Sequence, residues 1–245
     1  MKILTINIWR YYEWEKRKEK VMRFLKEQNA DIVLFQEAAY DENLKEIVKD
    51  QIDEINKELN YPGKSFFRMA QMMKWHEKPL DREMWYGLGI LSKWKIKMSE
   101  LILLPHVKKD KDFGFSHIVV DSGLGDFDII NVHFENTNEG SKEHLKFVLH
   151  WCNERNIKPV IAGDFNFIDT SDLSSLADKE YQLSYNLKPY KSFMPTIFSH
   201  TKEPITLDYI LTHRKKFEMS NVECINNDVS DHKAVSAKIM LIKLT

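Results

Sequence analysis

Eight apolar runs of strand length recur from one end of the chain to the other, and most finish in a residue that can do chemistry. They are KILTINIW (2–9), DIVLFQE (31–37), LGILSK (88–93), HIVVD (117–121), FDIINVHF (127–134), PVIAGDFNF (159–167), TLDYILTH (206–213) and VSAKIMLIKL (235–244). Several are nearly continuous in Val, Ile and Leu, the pattern of strands covered on both faces. Helical patterns lie between some of them. Segment 14–28 places Val21, Phe24 and Leu25 on one face. Segment 41–59 spaces Leu44, Ile47, Val48, Ile52, Ile55 and Leu59 at steps of three and four. Segment 141–155 carries Leu145, Val148, Leu149 and Cys152, with Ser141 as its expected N-cap. From 88 to 134 the strand-like runs follow one another without a helix, and SGLGD (122–126) reads as a hairpin turn between two of them. The expectation is a mixed α/β protein. No Gly/Ser/Pro-rich linker or internal repeat divides it, so residues 1–245 read as one domain.

Composition narrows the class. At 43% hydrophobic and 30% charged residues the chain is neither disordered, collagen-like nor coiled-coil. Lys and Arg number 36 against 37 Asp and Glu, which argues against a wholesale polybasic grip on nucleic acid or anionic membrane. Cys152 and Cys224 match no metal or redox spacing and suggest a reducing compartment. The amino terminus lacks a secretory pattern, and no apolar stretch approaches the ~20 residues of a membrane span. The expectation is a cytoplasmic protein with no membrane attachment and no obligate protein partner.

The polar residues at the strand ends carry the functional information. Asn7 ends the first run, Glu37 the second and His133 the FDIINVHF run. Asp164 and Asn166 end PVIAGDFN, Asp208 lies in TLDYIL, and Asp231–His232 opens the last. Singly, each has a plain explanation: a turn residue, a helix-start carboxylate, a satisfied core histidine. Together they form a set rich in carboxylates and amides and poor in Cys, which is a hard oxygen site suited to Mg²⁺ or Mn²⁺. A divalent cation would relieve the repulsion among the carboxylates, and neighbouring histidines would supply protons or hydrogen bonds to a phosphate. Metal-dependent phosphoester hydrolysis is the chemistry these residues imply.

At these positions the chain resembles the endonuclease/exonuclease/phosphatase superfamily, through TINIW (5–9), LFQE (34–37), GLGILSK (87–93), NVHFEN (131–136), AGDFN (162–166), LDYIL (207–211) and SDH (230–232), in the family's order. The resemblance implies a four-layer α/β/β/α sandwich of two mixed, largely antiparallel sheets flanked by helices, with the site at one edge between the sheets. It also implies roles. Glu37 would bind the Mg²⁺, with Asn7 close by and Asp231 a further ligand. Asp164 would orient or deprotonate water, and Asn166 would contact the scissile phosphate or leaving group. Asp208 would orient His232, which would stabilise charge at phosphorus, while His133 would contact the phosphate or serve the leaving oxygen. A His at position 133 resembles the deoxyribonuclease, sphingomyelinase, deadenylase and tyrosyl-DNA phosphodiesterase branches, whereas abasic-site endonucleases carry Tyr there. Two departures stand out: His117 lies on a strand where many members have Arg, and the sequence offers no Glu partner for His133.

The substrate stays open among three readings. One is nucleic acid or a nucleic-acid adduct, short or single-stranded, with Arg10, Arg68 and Arg82 as candidate phosphate contacts. The second is a small-molecule or lipid-headgroup phosphoester, and the third a non-catalytic binding module of the same fold. Segment 67–87, with four Met and two Trp, reads as core filling or as a lid. Trp9, Tyr11, Tyr12, Trp14, Tyr190 and Phe193 are candidate base-stacking or core residues.

Overall fold

The structure is a computed structural model that describes residues 1–41, 50–75, 78, 79, 82–123, 125–196, 199 and 201–242, with backbone alone at 74, 75, 78 and 79. One sheet is built from β1 (Lys2–Asn7), β2 (Ile32–Asp41), β3 (Gly63–Gln71), β6 (Met84–Ser92), β13 (Phe217–Ile225) and β14 (Ala234–Leu241). Its order is β13-β14-β1-β2-β6-β3. The other contains β7 (Ile96–Leu103), β8 (Gly114–Asp121), β9 (Asp126–His133), β10 (Val160–Asp164), β11 (Tyr181–Leu183) and β12 (Asp208–His213), in the order β11-β12-β10-β9-β8-β7. A two-stranded ribbon, β4 (Lys74–Trp75) with β5 (Lys78–Pro79), stands apart. The helices are α1 (Trp14–Gln28), α2 (Gln51–Leu59), α3 (Asn138–Glu154), α4 (Thr170–Ala177) and α5 (Ser184–Leu187). This is the four-layer α/β/β/α sandwich.

Each six-stranded sheet has one parallel pair at its centre, β1 with β2 and β9 with β10, and every other pairing is antiparallel. A parallel pair needs a crossover, and α1 and α3 supply the two. The parallel arrangement brings the carboxyl ends of those four strands to one side, so Asn7, His133 and Asp164 emerge together.

The side-chain period of two sorts the core into layers. Ile3, Ile32, Leu34 and Ile90 of the first sheet meet Ile118, Ile129, Val160 and Ile210 of the second. The alternate residues Leu4, Ile6, Val33 and Phe35 pack under Val21, Phe24 and Leu25 of α1 and Ile52 and Ile55 of α2. Behind the second sheet, Leu145, Val148, Trp151 and Cys152 of α3 cover Ile130, Val132 and Ile161. Toward the site end the inter-sheet layer turns polar. Gln36 donates to Asn131 Oδ1 at 2.6 Å, and Asn131 donates to the Phe35 and Gly89 carbonyls at 3.0 and 3.2 Å. A buried network satisfied this way tolerates one register, and so sets the two sheets against each other beside the site.

Several sequence expectations change. Helix α3 begins at Asn138, not at 141, because Thr137 Oγ1 accepts from the Gly140 amide as the N-cap, while Ser141 bonds the Asn138 carbonyl inside the helix. For 41–59 the described helix is α2, capped by Asp50, and Leu44, Ile47 and Val48 lie outside the described residues. β8 and β9, the strands on either side of SGLGD, do pair antiparallel with Asp121 opposite Asp126, and Leu124 lies outside the described residues. Of segment 67–87, Met69, Ala70, Met72, Met84 and Tyr86 form a buried cluster with Leu88, Met73 is exposed, and residues 76, 77, 80 and 81 lie outside the described residues. Among the described residues no helix is long and apolar enough to cross a membrane.

Two positions in this frame make predictions. Gly163 has φ +146°, and a Cβ there would sit 2.1 Å from the Val132 carbonyl oxygen. Gly163→Ala is expected to cost roughly 2–4 kcal/mol and to lower the melting temperature by about 5–10 °C. A melt within 2 °C of wild type, allowing for roughly that error in scanning, would show that β9 and β10 can separate at no cost. His144 of α3 is fully buried. Its Nε2 lies 2.9 Å from the Pro105 carbonyl, and its Nδ1 accepts from the Glu135 amide at 3.1 Å. That pattern needs the neutral ring, and burial lowers its pKa below the ordinary histidine value. Below about pH 6.5 the unfolded chain therefore takes up a proton that the folded one resists, so the contribution is complete above that pH and shrinks below it. Urea unfolding at pH 7.5 and 5.5 should show a larger loss for wild type than for His144→Gln, and equal losses would remove the histidine from the pH response.

Candidate active site

A cleft of about 500 Å³ opens at the edge between the two sheets. Seven of the eight residues singled out from sequence line it: Asn7, Glu37, His133, Asp164, Asn166, Asp231 and His232. The eighth, Asp208, is fully buried directly behind His232.

Glu37 reaches the cleft by a route the sequence does not show. The run 31–37 places it at the end of a strand, yet β2 continues to Asp41. The register with β6 slips by one residue between Phe35 and Ala38, and Glu37 has φ +53°. This bulge re-aims the side chain into the cleft, where strict alternation would have set it on the Phe35 face, under the helices. There Arg10 grips it with two bonds, Nε to Oε2 and Nη2 to Oε1, both 2.8 Å. Burial opposes the charge on Glu37, but Arg10 prevails and holds its pKa down at about 2. The Arg10 guanidinium also lies 4.5 Å from the centre of the Tyr86 ring.

The loop carrying Arg10 is strained, with positive φ at Trp9, Arg10 and Glu13. Arg17 of α1 holds it. Its guanidinium donates to the carbonyls of Ile8, Trp9, Arg10, Tyr12 and Val229. The Val229 bond ties this loop to the one bearing Asp231 and His232, and Ser230 Oγ adds a 2.6 Å bond to the Asn7 carbonyl.

Asp164 is the centre of the cleft. Its Oδ2 accepts from Asn7 Nδ2 at 3.2 Å and lies 3.8 Å from His133 Nε2 and 3.9 Å from His232 Nε2. Its Oδ1 accepts from the Asn166 amide, which turns the chain, and Asn166 Nδ2 bonds the Phe134 carbonyl. Burial, with the nearby charges of Asp208 and Glu37, raises the Asp164 pKa, against the pull of His232. His232 Nδ1 meets Asp208 Oδ2 at 2.8 Å. Burial disfavours the imidazolium, but Asp208 and Asp164 outweigh it and keep the ring protonated. His133 behaves oppositely: burial presses its pKa to about 3, with Glu37 opposing, so it is neutral. Its Nδ1 has no partner among the described residues.

Other candidates fall elsewhere. Arg68 pairs with Glu83 and lies over the Tyr40 ring, Arg82 pairs with Asp41, and neither lines the cleft. His117 is held between Glu100 and Asp128 against Trp151, on the helix side of the second sheet. Trp9, Tyr12 and Phe193 line the cleft, with Trp9 stacked on Tyr12 at 4.0 Å, whereas Tyr11, Trp14 and Tyr190 pack inward. Lys111 was not expected. Its ammonium sits over the Phe113 and Tyr86 rings, and burial lowers its pKa to about 8, opposed by Glu37. In sequence it lies within KKDKD, indistinguishable from a solvated charge run.

Two groups of donors face a metal question. Glu37, Asn7 and Asp231 line the cleft with Glu37 ionised, a donor set that suits a hard divalent cation, which would compete with Arg10 at Glu37 and with the Trp9 amide at Asn7 Oδ1. Asp164, Asp208 and His232 also place ligand atoms within 4.8 Å of one another. There His232 Nδ1 is held by Asp208, and Nε2, 3.9 Å from Asp164 Oδ2, is the ring nitrogen left to face a cation.

Two sheets in this order, with carboxylates, amides and two histidines converging at one edge, define a phosphoesterase scaffold. The endonuclease/exonuclease/phosphatase family model matches residues 4–232, and the chain belongs to that family of metal-dependent phosphoesterases. An uncharacterised protein of Acanthamoeba polyphaga mimivirus is 23% identical over 199 residues, 74% of this chain and 72% of that one. The solved endonuclease/exonuclease/phosphatase family protein from Leptotrichia buccalis superposes with a TM-score of 0.76 at 18% identity, covering 98% of this chain and 99% of that one. Sphingomyelinase C from Streptomyces griseocarneus gives a TM-score of 0.70 at 18% identity, covering 97% and 98%.

Proposed function

We propose that the protein is a Mg²⁺-dependent phosphodiesterase that hydrolyses phosphoester bonds in short or single-stranded nucleic acid, or in a nucleic-acid adduct, in the cytoplasm. The observation that carries the hydrolytic reading is Asp164, within 4 Å of both His133 and His232 and held by Asn7. A buried carboxylate with a raised pKa is a base strong enough to take a proton from water. His232, kept cationic by Asp208, donates to a non-bridging phosphate oxygen as charge builds there. Neutral His133 offers a hydrogen bond in place of a proton, and Asn166 adds an amide contact to the phosphate or leaving oxygen. Glu37, with Asn7 and Asp231, would hold Mg²⁺ or Mn²⁺, whose chemistry is to neutralise phosphate charge and acidify water.

Support for the substrate class comes from the walls. A cleft of about 500 Å³ suits a segment of one or two nucleotides better than a duplex, and the net charge of −1 gives no extended cationic footprint. Arg10 and Lys111 offer cations, while Trp9, Tyr12 and Phe193 offer rings for bases. The free thiols Cys152 and Cys224 support a reducing compartment. Labelled single-stranded, duplex, abasic and 5′-tyrosyl oligonucleotides, with Mg²⁺ or EDTA, should yield metal-dependent products that Glu37→Ala does not form. Intact oligonucleotides with a folded, Mg²⁺-binding protein would sink this reading in favour of a small-molecule or lipid-headgroup phosphoester. The apolar stretch of wall at Met72, Ile168 and Leu207 favours that second class, as does the sphingomyelinase named above.

A further inference from the structure

We propose that Arg10 is a displaceable cation: it occupies Glu37 until a divalent metal ion arrives, and is then released toward the substrate phosphate. The inference rests on Glu37 as the metal-holding carboxylate of the proposed function.

Four observations lead there. Arg10 takes one hydrogen bond to each oxygen of Glu37, so a metal ion at this carboxylate must compete with the guanidinium for its charge. The side chain has open cleft beside it, because it is 29% exposed and lines the cleft, with its guanidinium against the Tyr86 ring. Its backbone is not free. The Arg10 amide bonds the Glu37 carbonyl at 3.1 Å, and its own carbonyl accepts from Arg17 Nη2 and Gln51 Nε2. A fixed anchor with its fork at the cleft surface suits a group that exchanges partners within one cleft. Finally, the exchange is electrostatically sensible. Glu37 and Asp231 both act on Arg10, and without metal their mutual repulsion needs a cation. Once metal supplies that charge, the guanidinium has the planar fork that suits a phosphate. Arg17 cannot stand in, since its donors are spent on backbone carbonyls.

The test is calorimetric titration of Mg²⁺ into substrate-free protein, for wild type, Arg10→Ala, Arg10→Gln, Arg10→Lys and Glu37→Gln. Arg10→Ala and Arg10→Gln should bind Mg²⁺ about tenfold more tightly than wild type, with Arg10→Lys between. With Mg²⁺ saturating, inorganic phosphate should bind Arg10→Ala about tenfold more weakly. In unsubstituted protein, the Arg10 side-chain Nε–H NMR signal should shift as Mg²⁺ is added. A static signal, or equal Mg²⁺ affinity in Arg10→Ala alongside lost binding in Glu37→Gln, would mark the pair as a fixed structural bridge and overturn the inference alone. Wild-type Mg²⁺ binding in Glu37→Gln would overturn the role of Glu37 and the inference together.

Discussion

Glu37→Gln should lower kcat/KM on the best phosphoester substrate by about 10³-fold at saturating Mg²⁺. The substitution keeps the shape of the side chain and removes the charge, so the loss reports the electrostatic grip on the metal ion. Glu37→Asp keeps the charge and withdraws it by one methylene, and should lose about 10²-fold, the usual penalty for displacing a catalytic group by an ångström. Folding should suffer less than activity. The Arg10–Glu37 pair is mostly buried and open to solvent only on the Arg10 side, so breaking it should cost about 1–3 kcal/mol. Steady-state kinetics beside a thermal melt separate the two effects. Activity within tenfold of wild type would remove Glu37 from the metal role and shift attention to the Asp164, Asp208 and His232 cluster.

His232→Ala should lose about 10³-fold in kcat, and Asp208→Asn about 10²-fold, without adding together. Asp208 does not line the cleft. It acts through His232, holding Nδ1 at 2.8 Å and stabilising the imidazolium, and is therefore a positioning residue. Once His232 is gone, Asp208 has nothing to position, so the double variant should match His232→Ala alone. A double-mutant cycle measures this directly. Additive losses would show that Asp208 contributes by another path, such as structural support of β12. Melting curves of all three variants provide the control, because Asp208 is fully buried and its Oδ1 already lacks a partner among the described residues.

The central strands were readable because both their faces are covered. KILTIN, DIVLFQ and FDIINVH carry apolar residues toward the other sheet and toward helices alike, and their shortness and Ile/Val content separate them from buried helices. The helix over 14–28 was readable for the complementary reason, one apolar stripe on a charged surface. Strands β3, β7 and β13 were not singled out. Each lies at a sheet edge with much of its surface open to water: FEMSNVECI alternates buried and exposed residues, and IKMSELIL has no fully buried residue. Lys, Glu and Ser on those open faces dilute the apolar signal.

At the site the same division holds. Asn7, His133, Asp164 and Asn166 could be named from sequence because each follows a buried run, and an unpaired polar group there needs a reason. Their residue types and order along the chain were enough to identify the chemistry and the family. The electrostatic state of those groups was not legible. Glu37 enters the cleft through a bulge that exists only in its pairing with β6, and Arg10 closes on it from another loop. His133 and His232, alike in sequence, end with opposite protonation because one is buried without a carboxylate at Nδ1 and the other rests on Asp208. Lys111 joins them from a charge run that looks like any solvated surface. Residue type and periodicity are local properties and survive in the sequence as written. Charge, protonation and reach depend on separations of a few ångströms between distant segments, and those arise only when the sheets pair and pack.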